Sequence, residues 1–410
     1  MKETIIPIGP FHPLLEEPEL FTLKIDGETV VDVDVKIGWN HRGIEKLAQG
    51  LTWDQVPFLV ERICGICSTS HPYACVLAME DILGIKPPPR AQFIRPVVGE
   101  MERIHSHLLW FGLAGHFIGY NTVFMWAWKY RELILDALEK LTGNRNHYAM
   151  FKAGGVRRDF SDEAMDFTLK ILDEVEKATK MFLDAVSDDP VIHKRLKGVG
   201  VLTYEDAIQY SAVGPTSRPS GVDHDVRRDD PFDAYEQSYN EGVWKVVVLQ
   251  DGDVFAKAAC RILEILESIK IVRWCIENMP DGEIDAGVKE IPPGEGCGHY
   301  EAPRGEVFHY MRSDGRNYPV RHKVRAPTFN NLPTFKATCP GAHIADVTLI
   351  TASIDPCYCC TERVGIITPD GTKKVVTQND LTKLSVEKTL EIKRKLGKVT
   401  WDPYAKLLKK

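Results

Sequence analysis

The chain has 410 residues, 44% of them hydrophobic, and a formal net charge of −7, which describes a globular protein with a large core and excludes a general attraction to nucleic acid or anionic membranes. No apolar run approaches the roughly 18 residues of a membrane span and no signal peptide opens the chain, so we expect it to be soluble and cytoplasmic. Its ten cysteines then indicate free thiols or metal ligands rather than disulfides.

The amino end predicts a small antiparallel sheet. Residues Phe21 to Ile25 and Val31 to Ile37 alternate apolar and polar side chains on either side of Asp26-Gly27, a dipeptide that favours a tight hairpin turn. His12 lies before this hairpin in a proline-bounded loop, where it is most simply a surface histidine. We assign residues 1–39 to an N-terminal hairpin region.

A helical core, residues 40–290, follows the hairpin and contains the first cysteine motif. His105 and His107 lie two residues apart in it, so they cannot share one helix face, and we expect polar core or interface positions for both. Helices of bundle length are predicted over Arg95–His116, Thr122–Leu141, Ser161–Val186 and Asp253–Met279.

The C-terminal third, residues 291–363, predicts a second hairpin from Glu306 to Val324. The apolar run from Ile344 to Ile354 is typical of a buried helix or strand. The predicted fold class is therefore α+β, with a central long-helix bundle and small antiparallel sheets at the amino end and in the C-terminal third. Residues 364–410 differ in composition, with eleven Lys and Arg against five Asp and Glu, and form a basic extension.

Two C-x-x-C pairs stand near opposite ends of the chain. Cys64 and Cys67 lie in R-I-C-G-I-C, and Cys357 and Cys360 lie in D-P-C-Y-C-C-T-E-R. Two intervening residues let both thiolates of a pair turn toward one point, so the two pairs offer four soft ligands suited to zinc, copper(I), nickel or iron. Cys359 is too close to Cys357 to repeat this spacing, and we leave it out of the ligand set.

Three other uses of the cysteines remain open. A structural zinc ribbon normally has its pairs within roughly 20 residues of each other, whereas this gap runs from Cys67 to Cys357. An iron–sulfur cluster needs further cysteines at cluster spacing, and a redox disulfide needs a single pair. The remaining cysteines are isolated and are most simply small buried hydrophobic residues: Cys75, Cys260, Cys275, Cys297 and Cys339.

With further motifs, the cysteine pairs resemble the large subunit of nickel–iron hydrogenases over about the first 363 residues. Soluble and periplasmic members typically end the second motif in histidine, whereas Arg363 is similar to the membrane-bound, energy-converting hydrogenases related to respiratory complex I. The further motifs are G-P-x-H-P at Gly9–Pro13, N-H-R-G-I-E-K-L at Asn40–Leu47, R-I-H-S-H-L at Arg103–Leu108, T-G-N-R at Thr142–Arg145, G-G-V-R-R-D at Gly154–Asp159 and E-A-P-R-G at Glu301–Gly305.

The resemblance implies reversible oxidation of H2 at a nickel–iron centre whose iron carries carbon monoxide and cyanide. Cys64 and Cys357 would bind nickel terminally. Cys67 and Cys360 would bridge nickel to iron. Cys357 would also act as the base in heterolytic cleavage of H2 and would pass its proton to Glu45, which matches the glutamate of R-G-x-E.

The resemblance also implies residues around the metals. Arg304 and Pro303 of E-A-P-R-G would lie beside the centre, where a rigid and permanently charged guanidinium can stabilise developing charge. Asp355 and His71 would orient the thiolates by hydrogen bonds.

Electrons would leave through a partner, because the spare cysteines lack cluster spacing. The resemblance implies a small subunit with a 4Fe–4S cluster, membrane subunits that translocate ions, and a ferredoxin-like or other low-potential donor acting indirectly, but no nucleic acid. The chain would sit peripherally on the cytoplasmic side of the cell membrane. Residues after Arg363 are either removed after metal insertion or retained as a tail that docks on a partner.

Two alternatives to a hydrogenase remain. One is a sulfur- or quinone-reducing relative of complex I, although relatives that reduce quinone generally lack these cysteines. The other is a non-enzymatic subunit in which a structural zinc ion ties the chain ends together.

Overall fold

The structure is a computed structural model that describes residues 4–12, 15, 17–361, 366–367, 372–374 and 378–396. The chain divides into two compact units, Met1–Glu362 and Arg363–Lys410. Pro13 and Arg363, which belong to two of the motifs, lie outside the described residues. Within the described ranges, no helix combines the length and the apolar character that crossing a membrane requires.

The predicted N-terminal sheet is confirmed. Its hairpin turns at Gly27, which has a positive φ of 62°, and buries Phe21 and Leu23. Pairing shifts from Lys24–Asp32 to Ile25–Val30, so Val31 is an extra residue at a bulge and is 45% exposed, although the alternation predicts it inside. The strands pair antiparallel in the order β1 Thr4–Ile8, β2 Leu20–Asp26 and β3 Thr29–Lys36.

The predicted helix bundle is also confirmed. Its long helices pack around an apolar core; they are α4 Pro89–Phe117, α5 Asn121–Thr142, α6 Asp162–Asp188 and α11 Val254–Glu277. Helix α11 begins where Asp253 accepts the backbone N–H of Ala256 at 2.7 Å. Helix α4 begins at Pro89 and continues through Pro96, ahead of the predicted start. The helices of the first unit are α1 Ile44–Ala48, α2 Val56–Glu61, α3 Ser70–Leu83, α4 Pro89–Phe117, α5 Asn121–Thr142, α6 Asp162–Asp188, α7 Pro190–Leu196, α8 Tyr204–Gln209, α9 Val226–Asp229, α10 Tyr235–Asn240, α11 Val254–Glu277, α12 Pro327–Asn331, α13 Phe335–Thr338 and α14 Ile344–Ser353.

The C-terminal sheet has one strand more than the predicted hairpin. The hairpin corresponds to β7 Gly305–Ser313 and β8 Arg321–Arg325, and the additional strand β6 Gly294–Ala302 packs against α3. Gly298 on β6 permits this approach, because a Cβ there would overlap the backbone carbonyl oxygen of Ala74 on α3. The remaining strands of the first unit are β4 Phe151–Lys152, β5 Gly155–Val156, β6 Gly294–Ala302, β7 Gly305–Ser313 and β8 Arg321–Arg325.

The segment 210–240, which its composition predicts as a loop over the bundle, carries buried charges. Arg218 donates hydrogen bonds to Glu264 and Glu301 at 2.7 Å each. Arg227 donates to Glu100 at 3.0 Å. Burial of these side chains is tolerated because every charge faces an opposite charge, a pairing that the local sequence does not reveal.

In the second unit, the described residues form a short antiparallel pair and one helix. Leu384 is 55% exposed on this helix, and Lys388 pairs with Glu391 at 2.9 Å. The elements are β9 Ile366–Ile367, β10 Lys373–Lys374 and α15 Gln378–Leu396.

Candidate metal centre

The first cysteine pair lies in the turn between α2 and α3. Cys64 and Cys67 are both buried, and the backbone N–H of Cys67 donates to Cys64 Sγ at 3.3 Å. Helix α3 begins directly after the turn, where the N–H groups of Thr69 and Ser70 both donate to the carboxylate of Glu102 on α4. The bundle therefore fixes the position of the first motif.

The second pair follows α14 through a sharp change of chain direction. Asp355 has a φ of 54°, a left-handed conformation that aspartate tolerates better than most residues. The backbone N–H of Cys357 donates to Thr328 Oγ1 at 3.1 Å. Cys360 N–H donates to the carbonyl oxygen of Cys357 at 3.3 Å and closes the turn that carries both sulfurs.

The two distant motifs converge on one cluster of sulfur atoms. Cys357 Sγ lies 3.2 Å from Cys64 Sγ, 2.8 Å from Cys360 Sγ and 3.4 Å from Cys359 Sγ. The sulfur atoms of these residues all lie within 4.8 Å of one another, and every one is a free thiol. Cys359, which its spacing excludes from the predicted ligand set, thus joins the group, while Cys67 lies at its edge.

Arg42 joins the two motifs, a contact that sequence reasoning missed. Its guanidinium donates to the carbonyl oxygens of Arg62 at 2.8 Å and Ile63 at 2.7 Å, and to that of Cys359 at 3.2 Å. Arg42 belongs to the motif N-H-R-G-I-E-K-L, so the motif gave a signal of importance, whereas its partners are distant in sequence.

The hairpin turn between β6 and β7 presents a buried arginine to the cluster. Pro303 and Arg304 are its two turn residues. The Arg304 guanidinium donates to the backbone oxygen and to Oδ1 of Asp355 at 2.7 Å each, and to Cys67 Sγ at 3.2 Å. Burial opposes its charge, but Asp355 and the neighbouring sulfurs outweigh burial and raise the pKa of Arg304.

Electrostatics differ among the buried thiols. The thiol of Cys357, followed by its neighbours, donates toward Cys64 and holds the pKa of Cys64 well below its usual value. Burial raises the pKa of Cys360 well above its usual value. A soft cation bound among the sulfurs would replace the protons of thiols such as Cys360 and keep all of the sulfurs deprotonated. The donor set fits a thiolate-bound transition metal.

Glu17 is a second residue that sequence reasoning missed. Its half-buried carboxylate accepts the backbone N–H of Cys359 at 2.7 Å. Burial, and then the charge of Cys64, raise the pKa of Glu17 above its usual value. The acidic pair Glu16-Glu17 resembles an ordinary solvated loop in the sequence, which offered no signal for this position.

Glu45 contacts β8, and His71 contacts β7. Glu45, on α1, accepts the backbone N–H of Val324 at 3.0 Å and Lys323 Nζ at 2.8 Å. His71, in the first turn of α3, is buried, and its Nδ1 lies 3.1 Å from His309 Nε2. The expected roles of Glu45 in proton transfer and of His71 at the thiolates stay predictions.

The remaining histidines of the sequence analysis lie in ordinary polar surroundings. His105 Nε2 is 3.2 Å from the Tyr148 hydroxyl, and His107 Nε2 is 2.9 Å from Glu264 Oε2. Both rings are buried. His12 is exposed in the N-terminal loop.

Comparisons with known proteins match nearly the whole chain. The family model of the respiratory-chain NADH dehydrogenase 49 kDa subunit matches residues 118–291 and 285–363, and that of nickel-dependent hydrogenases matches residues 42–115. The membrane-bound hydrogenase subunit alpha of Pyrococcus furiosus is 43% identical over 94% of this chain and 93% of its own. The carbon monoxide-induced hydrogenase of Rhodospirillum rubrum is 39% identical over 88% and 100%.

Other similar proteins are named for reactions other than that of a hydrogenase. A subunit of the NADH-quinone oxidoreductase of Rhizobium etli is 35% identical over 87% of this chain and 94% of its own. A chain of the membrane-bound sulfane sulfur reductase, an archaeal respiratory membrane complex, superimposes with a TM-score of 0.82 at 30% identity, covering 88% of this chain and 98% of that chain. The chain therefore belongs to the oxidoreductase family that contains the membrane-bound nickel-dependent hydrogenase subunits and the 49 kDa subunit of respiratory complex I.

Proposed function

We propose that this chain is the catalytic subunit of a membrane-associated nickel–iron hydrogenase that oxidises H2 and reduces protons reversibly. The observation that carries the proposal is the convergence of the two C-x-x-C pairs, with Cys357 Sγ 3.2 Å from Cys64 Sγ inside the protein. The similarity to the membrane-bound and carbon monoxide-induced hydrogenases supports the same function.

The residues that would hold the metals are Cys64, Cys67, Cys357 and Cys360. Their buried sulfurs form a soft donor set suited to nickel and to an iron that carries carbon monoxide and cyanide. When bound, this centre supplies the redox chemistry for heterolytic cleavage of H2.

Arg304 would stabilise negative charge that develops at the sulfurs. Asp355 holds its guanidinium through two hydrogen bonds, and Ser106 Oγ accepts a third at 3.2 Å. The preceding Pro303 restricts the turn. A cation fixed in this way needs no reorganisation when charge appears beside it.

Proton transfer requires acceptors near the sulfurs. Cys357 is the proposed base, and Glu17 is the carboxylate beside the motif that can receive its proton. The raised pKa of Glu17 brings this carboxyl closer to neutral pH, where general acid–base groups work best. Glu45 is half-buried on α1, and we place it farther along the route to solvent.

We further propose that the chain works within a membrane complex on the cytoplasmic side. Its relatives include a membrane-bound hydrogenase subunit and a subunit of formate hydrogenlyase. A small subunit with a 4Fe–4S cluster would take the electrons, and membrane subunits would couple the reaction to ion translocation. A ferredoxin-like or other low-potential protein would exchange electrons with the small subunit.

A second candidate function is reduction of sulfane sulfur. The similarity to a chain of the membrane-bound sulfane sulfur reductase favours it, and the buried cysteines can take part in either chemistry. The two functions are distinguished by the substrate on which the purified complex acts.

The test is to purify the complex anaerobically and to measure nickel, iron, H2 turnover and polysulfide reduction together. A hydrogenase is expected to contain nickel and iron in about equal amounts, to show infrared bands of carbon monoxide and cyanide, and to turn over H2. Nickel-free protein that reduces polysulfide would replace this proposal with the second candidate, and zinc alone without either activity would overturn both.

A further inference from the structure

Three histidines form a continuous hydrogen-bonded series beside the cysteine cluster. His71 Nδ1 lies 3.1 Å from His309 Nε2, and His309 Nδ1 lies 2.9 Å from His322 Nε2. They come from α3, β7 and β8, and none is more than 1% exposed. The proposed mechanism leaves His309 and His322 without a role.

All three rings are neutral at pH 7. Burial lowers the pKa of His71 and of His322 to about 4, and it lowers the pKa of His309 well below its usual value. A neutral imidazole has one N–H and one bare nitrogen. Each ring in the series can therefore accept a proton on one side and release a proton on the other.

The two ends of the series meet different surroundings. His71 lies in the first turn of α3, four residues after Cys67, so this end lies next to the first cysteine motif. At the other end, Glu45 accepts the backbone N–H of Val324, two residues after His322 on β8, at 3.0 Å, and it retains 24% of its side-chain exposure. His322 Nδ1 is buried and makes no hydrogen bond to any residue that the structure describes, which leaves the outer nitrogen of the series available to a proton acceptor.

We propose that His71, His309 and His322 form a proton relay between the cysteine cluster and Glu45. The relay rests on the proposed function and adds the part of the proton route that lies between the cysteine cluster, where Glu17 is the first acceptor, and Glu45.

Proton transfer along the relay leaves each histidine ring neutral. A proton binds the outer nitrogen of His71, whose Nδ1–H bond breaks and protonates His309 Nε2. His309 then releases its Nδ1 proton to His322 Nε2, and His322 releases its Nδ1 proton toward the Glu45 carboxylate. One proton crosses, each ring ends neutral, and transfer in the opposite direction restores the first arrangement.

Two of these histidines also belong to a candidate metal site. Cys75, His309 and His322 each present a ligand atom, and these atoms lie within 4.8 Å of one another. However, Cys75 Sγ donates to Met311 Sδ at 3.8 Å, and His309 Nδ1 and His322 Nε2 already face each other at 2.9 Å. These direct contacts favour the relay over a metal site.

The test uses the purified complex with His309→Gln and, separately, His322→Gln. Glutamine preserves polar contacts but its amide does not pass a proton at neutral pH. His299→Gln is the matched control, because His299 lies on the neighbouring strand β6 and pairs outside the series with Asp230 at 2.7 Å and Glu306 at 2.9 Å.

Two reactions separate cleavage of H2 from proton exit. Conversion of para-H2 to ortho-H2 needs cleavage and recombination alone, whereas exchange of D2 with H2O also needs proton exchange with solvent. The relay predicts that both variants keep their nickel, infrared bands and para–ortho conversion, while D2/H2O exchange falls by about 10²-fold or more, the low end for loss of a proton-transfer group. His299→Gln should change neither reaction.

Several outcomes would overturn the relay. In the variants, these are unchanged D2/H2O exchange, equal loss of both reactions, or loss of nickel from both. In the wild-type complex, a third metal bound at Cys75 would also overturn the relay. As an independent readout, ¹⁵N spectra of labelled histidine should show neutral, hydrogen-bonded rings, and imidazolium or metal-bound shifts would also exclude it. A wild-type complex without nickel would instead refute the proposed function, which is read before any variant is made.

Discussion

Cys359 and Cys360 are adjacent residues whose sulfurs both lie in the cluster. Comparing variants of the two therefore distinguishes a metal ligand from a cysteine that only lies close to the metal. We expect Cys360→Ala to lose nickel and H2 turnover, because it removes one of the four proposed thiolate ligands. Cys359→Ala should retain both, since Cys359 is partly exposed and lies outside the C-x-x-C spacing. Nickel content and H2 turnover of the two purified variants provide the comparison; an active, fully loaded Cys360 variant contradicts the ligand assignment.

Glu17 offers a test of proton transfer at the cluster itself. Glu17→Gln keeps the size of the side chain and an acceptor for the Cys359 N–H, but it cannot bind a proton. We expect nickel to remain while D2/H2O exchange slows by about 10²-fold, the usual effect of removing a general acid–base group. Glu28→Gln is the control, since Glu28 is exposed in the first hairpin. Exchange at the wild-type rate would remove Glu17 from the mechanism.

Glu102 predicts a pH dependence of stability. Burial raises its pKa from 4.5 to about 8, so the unfolded chain releases this proton at lower pH than the folded chain. The resulting stability is complete below pH 4.5 and is lost as the pH rises through 8. The side chain of the Glu102→Gln variant does not titrate, so this variant does not lose that stability as the pH rises. Denaturant titration should therefore show that its free energy of unfolding, relative to that of the wild type, is higher at pH 8 than at pH 5. An equal difference at both pH values would contradict the shift.

At this scale the sequence predicted residue types better than contacts. The C-x-x-C spacing identified Cys64 and Cys357 as potential ligands, because that chemistry is local. Glu17 and Arg42 escaped notice since their partners are the backbone N–H and carbonyl oxygen of Cys359, and backbone partners leave no trace in a sequence.

Among the elements, the contact between β6 and α3 controls the position of the first cysteine motif. Gly298→Ala would drive a methyl group into the backbone of α3, which begins three residues after Cys67. We expect a loss of about 1–3 kcal/mol in the free energy of unfolding, typical of overpacking, together with weaker nickel retention. Thermal unfolding measures the first effect and metal analysis the second.

Gly50→Ala provides the control for this substitution. A Cβ on Gly50 would meet its nearest described neighbour, the Leu47 carbonyl oxygen, at 3.5 Å, an ordinary contact distance. Equal stability of the two variants would show that β6 does not constrain α3.

Helices and the first hairpin were predictable because their signals repeat along the chain. Helix α11 has a capping aspartate, and its predicted range Asp253–Met279 differs little from Val254–Glu277. Strand β6 carries Gly294, Gly296 and Gly298, which remove the side-chain alternation that marks a strand. These glycines are needed because β6 packs closely against α3, and the local sequence pattern gives no information about that contact.

For the whole molecule, the central claim is that the two ends of the first unit meet at one metal centre. Sequence separation gives no distance, so the motifs alone left a structural zinc, an iron–sulfur cluster and a disulfide open. The fold brings Cys357 to Cys64, and Arg42 bridges the two segments at their backbones.

Nickel K-edge X-ray absorption of the purified complex tests this claim most directly. The account predicts nickel surrounded by sulfur at about 2.3 Å, the distance typical of thiolate ligands to a divalent metal, with that signal lost in the Cys360→Ala variant. Nickel bound by nitrogen and oxygen alone, or a complex that turns over H2 without nickel, would contradict it.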